Sequence, residues 1–210
     1  MTIRDTDETV MDRRRRLLVQ ALSTGMLAGG LGWNTPARAE LFGRRPGELP
    51  RGRSIFRLRG EVRVNGEPAD PDTPIGPDDH VVTGDDGELV AVIGRDAFIL
   101  RSETEVRFSL GESLKEGMRV LTGALLSVFG EREQTGPRVT TPTAAMGIRG
   151  TGLYVEADST RSYVCNCYGE VDLRAGDERE TIVSRHHDDP RWVLAEPQNG
   201  RRILPAPFIN

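Results

Sequence analysis

Ser54-Ile55-Phe56-Arg57-Leu58-Arg59-Gly60-Glu61-Val62-Arg63-Val64-Asn65-Gly66 is the stretch that decides the fold class. Phe56, Leu58, Val62 and Val64 alternate with Arg57, Arg59, Glu61 and Arg63, so one face is apolar and the other charged. Successive side chains of an extended chain point to opposite faces, and a period of two therefore marks a half-buried strand. Asn65-Gly66 closes the run with a dipeptide suited to the positive φ of a tight hairpin turn.

Working outward, residues 70–79 form a loop rich in proline and aspartate, and short apolar runs follow it. Residues 80–83, 88–93, 97–100 and 105–110 are closed by glycine or a charged residue, and 118–121, 124–129 and 138–141 follow. Three further runs, 161–167, 170–173 and 180–184, lie beyond the glycine-rich stretch at 144–152. No segment sustains a helical period, and strand centres fall roughly 8–12 residues apart, the spacing of all-β folds. The 24 glycines and 13 prolines supply turns, while only 5% of residues are aromatic. This composition suits many short strands better than a helical bundle.

The N-terminus reads as an export signal. Arg13-Arg14-Arg15-Arg16 precede Leu17-Leu18, a glycine-diluted apolar run extends to Trp33, and Ala37-Arg38-Ala39 offers a small-x-small cleavage site. Charged region, short apolar region and cleavage site together describe a secretory leader, and paired arginines before leucines resemble the twin-arginine type. The expected division is a signal at 1–39 cleaved after Ala39, a linker at 40–53, one all-β domain at 54–195 and an extended tail at 196–210. The periplasm is the expected compartment, with membrane attachment only if the leader is retained. Residues 1–39 hold six of the 28 basic and four of the 32 acidic residues, so the remainder carries a charge of −6. An acidic surface argues against nucleic acid as a partner.

The only two cysteines, Cys165 and Cys167, stand in Ser162-Tyr163-Val164-Cys165-Asn166-Cys167-Tyr168-Gly169. His186 and His187 follow in Ser184-Arg185-His186-His187-Asp188-Asp189-Pro190. Three accounts compete. On one continuous strand the cysteines share a face with Tyr163, Val171 and Leu173 and act as small hydrophobes, unless Gly169 breaks the phase. A Cys165–Cys167 disulfide would span two residues of strand, about 6.6 Å, and would have to bend the chain. A metal needs no bend, because each metal–sulfur bond adds about 2.3 Å of reach. Cys165, Cys167, His186 and His187 then make a Cys2His2 set for zinc, iron or copper, with Asp188 or Asp189 as a ligand or a histidine support. Adjacent histidines point to opposite faces of a strand, so both serve only in a turn. Elsewhere, His80 reads as a solvated residue, Arg149 as a satisfier of turn carbonyls and Trp192 as a plug over the sheet end.

The order of several short motifs resembles the FecR domain family. They are Gly60-Glu61-Val62-Arg63-Val64-Asn65-Gly66, Val82-Thr83-Gly84-Asp85-Asp86-Gly87 and Leu121-Thr122-Gly123-Ala124-Leu125. Thr140-Thr141-Pro142-Thr143-Ala144, Ile148-Arg149-Gly150-Thr151-Gly152-Leu153-Tyr154-Val155 and Tyr168-Gly169-Glu170-Val171 complete the set, which spans about Arg53 to Leu173. The resemblance implies an elongated domain of stacked hairpins, close to a β-solenoid or β-roll. It also implies a periplasmic signalling role, which in the best-known members runs from an outer-membrane receptor to a sigma factor. Here only Met1 to Asp12 precede the arginines, so direct sigma-factor binding is not expected. The expected function is an exported, non-enzymatic binding or signalling module with another envelope protein as its partner. A thiol–disulfide redox protein or metalloenzyme using Cys165 and Cys167 is the alternative, and a structural envelope scaffold is the third.

Overall fold

The 54–66 stretch becomes two short strands, β1 (Ile55–Arg59) and β2 (Val62–Val64). Val62 and Val64 are buried and Arg63 is exposed, as the alternation requires. The first half slips. A register irregularity between Ile55 and Arg57 puts Ile55 in the core and leaves Phe56 53% exposed. A bulge inserts one unpaired residue and so exchanges inward and outward positions on either side of it.

The computed structural model describes residues 54–76, 78–94, 96–109, 117–130 and 136–208. The leader and linker expected at 1–53 lie outside these residues. The described residues contain no helix. After β2 the strands are β3 (Glu67–Pro68), β4 (His80–Thr83), β5 (Glu88–Ile93), β6 (Asp96–Leu100), β7 (Glu105–Ser109) and β8 (Gly117–Val128). β9 (Arg138–Thr140), β10 (Ala145–Ala157), β11 (Arg161–Ala175), β12 (Glu178–Ser184), β13 (Arg191–Gln198) and β14 (Arg201–Pro205) complete them. β14 and the last three residues of β13 occupy the stretch expected as an extended tail, and Asn199-Gly200 turns between the two strands.

Among the described residues the fold is all-β, but it is not a solenoid or roll of stacked hairpins. In such a stack each hairpin pairs with the next, whereas here three long strands change neighbours midway. β8 lies beside β7 and, in parallel, β9 over its first half. Over Leu125–Val128 it lies between β6 and β10. β10 pairs with β9 at Ala145–Gly147 and with β8 at Gly152–Ala157. β8, β9 and β10 thus each pair with the other two, and the sheet closes on itself in the manner of a barrel. The stack was what the family resemblance implied, and the glycine between the expected strands at 118–121 and 124–129 does not separate them. Gly123 instead sits within β8 at φ +88°, and a Cβ there would lie 2.4 Å from the Thr104 Cα. Only glycine permits both the bend and the approach.

The core gathers the inward faces of these strands. Phe98, Phe108, Leu89, Leu100, Leu125, Met146 and Ile148 are at most 1% exposed. Phe98 meets Phe108 at 5.6 Å and Phe129 at 6.0 Å, both edge to face. Each buried aromatic of this kind contributes about 1.5–3 kcal/mol relative to exposure.

Candidate metal centre

β11 changes its outer neighbour at the cysteines. Arg161–Val164 pair with β13, and Gly169–Ala175 pair with β12. Cys165 to Tyr168 fall between the two ladders, where the 185–190 segment crosses from β12 to β13. The His187 N–H donates to the Cys167 carbonyl at 2.9 Å, satisfying a backbone group that neither strand reaches. Gly169, at φ +91°, and irregularities opposite Gly152 shift the phase of β11. Val164 before this point and Val171 and Leu173 after it all join the main core. Tyr163, Cys165 and Cys167 do not, although they are only 3%, 4% and 7% exposed. The expected common face of the cysteines with Val171 and Leu173 is therefore absent. Asn166 pins the bend, donating through Nδ2 to the carbonyls of Gly169 at 2.9 Å and Ile182 at 3.0 Å.

The crossing segment has its own framework. The Asp188 carboxylate accepts the Arg185 N–H at 3.1 Å and the His186 N–H at 3.4 Å. The Asp188 N–H donates to the buried Ser184 hydroxyl at 2.8 Å. These amides hold Asp188 below the ordinary carboxylate range, the Arg185 N–H foremost. His187 and Asp189 take φ +60° and +52°. Left-handed backbone at a residue with a Cβ costs on the order of 1–3 kcal/mol and persists where the surroundings over-determine it.

The result is a cluster of three donors. Cys165 Sγ lies 3.7 Å from His187 Nδ1, and the ligand atoms of Cys165, Cys167 and His187 are all within 4.8 Å of one another. Metal–sulfur and metal–nitrogen bonds of about 2.3 and 2.0–2.1 Å at a tetrahedral angle separate the two donors by roughly 3.6 Å. The observed spacing fits. Neither cysteine is in a disulfide. The Cys165 thiol is pushed up, first by its hydrogen bond to Cys167 and then by burial, with His187 opposing. Cys167 is held down as the other end of that bond, and Cys165 in turn raises His187.

Three of the four expected ligands are thus brought together, and His186 is not. It is exposed, and its amide serves Asp188. Asp188 shapes the segment through backbone contacts rather than supporting an imidazole. Unforeseen from sequence is the aromatic wall beside the cluster. Tyr154, cross-strand from Cys165, meets Tyr163 at 6.3 Å. Tyr163 meets Trp192 at 5.3 Å, and the Arg161 guanidinium sits 4.6 Å above the Trp192 ring. Tyr163 was expected on the cysteines' face by strand parity; its aromatic neighbours Tyr154 and Trp192 were not. Gly152 lets β10 close on this group, since a Cβ there would lie 3.2 Å from the Cys167 Cβ. Elsewhere, half-buried His80 bonds Glu105 at 2.7 Å, and Arg149 pairs with Glu170 at 3.0 Å and Asp172 at 3.3 Å instead of capping turn carbonyls.

No protein-family model matches the sequence, and no curated protein matches it significantly. Similar solved structures include two of a candidate anti-sigma factor from Parabacteroides distasonis, at 1.65 and 2.50 Å resolution. In each, 15% of residues are identical and the TM-score is 0.51. The likeness covers 60% of this chain and 58% of that one, so the chain spans well under two thirds of the structures it matches. At this identity the likeness is one of fold.

Proposed function

We propose that this chain is an exported, non-enzymatic binding or signalling module related to FecR domains, in which Cys165, Cys167 and His187 hold a transition metal. The observation that carries the reading is the meeting of three soft or borderline donors at the place where β11 changes neighbours. Two thiols and an imidazole suit zinc, copper or iron, and a bound ion ties the 185–190 segment to β11. The signalling role draws support from the ordered motifs between Gly60 and Val171 and from the fold shared with a candidate anti-sigma factor. Its partner is another envelope protein, reached after removal of residues 1–39.

A thiol–disulfide couple is the second reading, favoured by the closeness of the two free thiols, within 4.8 Å of each other. Metal content and free-thiol count of the full chain, purified without chelator or affinity histidines, separate the two. One equivalent of metal, lost in Cys167→Ser, is expected. At free metal a thousandfold above its dissociation constant, binding adds about 4.1 kcal/mol of stability. A metal-free protein whose thiols oxidise reversibly to Cys165–Cys167 would sink the metal reading in favour of the second.

A further inference from the structure

The whole chain contains two cysteines and three histidines, so its thiol and imidazole donors can be followed one by one. Cys165, Cys167 and His187 form the cluster. His80 lies on β4 with its ring on Glu105, and His186 is exposed beside the cluster rather than within it. Among the nearest carboxylates, Asp188 is taken up by the amides of Arg185 and His186, and the Asp189 side chain is 76% exposed beside Arg191. No thiol or imidazole of the chain remains to close a tetrahedron. The edge on which such a position would fall is the solvent side, because His187 is exposed whereas both thiols are buried.

Charge selects the ion. Two thiolates and a neutral imidazole cancel a divalent ion and leave a monovalent ion one unit negative. Uncompensated charge beside groups only 4% and 7% exposed is costly. We infer that Cys165, Cys167 and His187 form a three-ligand site for a divalent ion, zinc or its cobalt(II) surrogate, whose fourth position takes an exogenous neutral nitrogen donor. This rests on the metal reading above and deepens it. At rest the fourth ligand is water. In exchange the water leaves and an imidazole or amine nitrogen bonds the ion through its lone pair, with no proton or electron transferred. A neutral donor preserves the balance of charge, whereas an anion does not. Three protein ligands with one open position is the arrangement by which protein metals accept outside ligands, and four close it.

Cobalt(II) loading of the full chain tests this, because d–d and sulfur-to-cobalt absorption report the coordination sphere. The expected result is one equivalent of cobalt with thiolate charge transfer, unchanged in His186→Ala and bound at least tenfold more weakly in His187→Ala. Added imidazole should shift the d–d bands saturably with cobalt retained, and azide should require at least tenfold higher concentration. Cobalt bound with bands indifferent to imidazole, or altered by His186→Ala, would overturn the open site and leave the metal centre standing. Equal response to azide and imidazole would overturn the selection by charge. No cobalt binding with native circular dichroism would remove the metal reading and this inference together. His186 and His187 are both exposed, so their variants should retain the fold.

Discussion

Two aromatic clusters in this protein share one packing geometry and differ in everything else. Phe98, Phe108 and Phe129 meet edge to face at 5.6 and 6.0 Å, at most 4% exposed, within the main core. Tyr154, Tyr163 and Trp192 also meet edge to face, at 6.3 and 5.3 Å, but outside that core and beside two thiols. The first group has no polar atoms and does nothing except exclude water. The second brings hydroxyls, an indole and the Arg161 cation, and its Tyr154 hydroxyl donates to Glu156 at 2.5 Å. Edge-to-face contact contributes about 0.5–1.5 kcal/mol per pair in either setting. What separates a stabilising cluster from one that frames chemistry is therefore the neighbouring groups, not the ring geometry.

Phe108→Ala attacks the first cluster and should have the largest effect. Loss of a fully buried phenyl costs about 3–5 kcal/mol, read as a lower urea midpoint. Metal stoichiometry of the folded fraction should not change, and a coupled loss would mean that the two regions are one cooperative unit. Asn166→Ala attacks the frame of the second cluster. It removes the donor to the Gly169 carbonyl at the β11 bend and to the Ile182 carbonyl of β12, and a buried acceptor left unmet costs about 1–3 kcal/mol. Here metal affinity should fall along with stability. A variant that weakened folding and left metal binding intact would show that the bend does not position the thiols.

The smallest effect belongs to Glu178, whose carboxylate accepts the N–H groups of Arg202 at 2.5 Å and Ile203 at 3.1 Å and so ties the start of β12 to β14. Those bonds, the Arg202 amide first, hold its pKa below the ordinary value. A carboxylate lowered on folding stabilises the protein above its unfolded pKa and loses that contribution as pH falls through the folded value. Wild type should thus melt above Glu178→Gln at neutral pH, and the gap should close on acidification through the carboxylate range. A gap independent of pH would rule out the carboxylate as its source.

The β class and the inward Val62 and Val64 were legible in the sequence because each rests on local spacing, and the two cysteines with the His186-His187 pair were legible as a candidate donor group. What was not legible rests on register. The Ile55–Arg57 irregularity exposes Phe56, and no local pattern distinguishes it from plain alternation. The stacked fold was what the family resemblance implied, and it fails because Gly123 and Gly152 lie within long strands that change neighbours. Gly169 decides which face the cysteines occupy, and its left-handed φ depends on pairing with distant strands. His186 and His187 are chemically identical neighbours. A φ of +60° at the second one, fixed by its amide bond to Cys167, chooses between them.

That amide bond also has a consequence in time. Where a metal must first gather its ligands from a disordered chain, loading is coupled to folding and removal unfolds the domain. Here the loop carrying the imidazole is already fastened to the strand carrying the thiols, by a main-chain contact that no ion supplies. Loading a metal at the proposed site would then order nothing new, and stripping it would leave the scaffold upright. A metal at the proposed site would then suit repeated filling and emptying within the lifetime of one folded molecule, a gauge of its surroundings rather than a rivet.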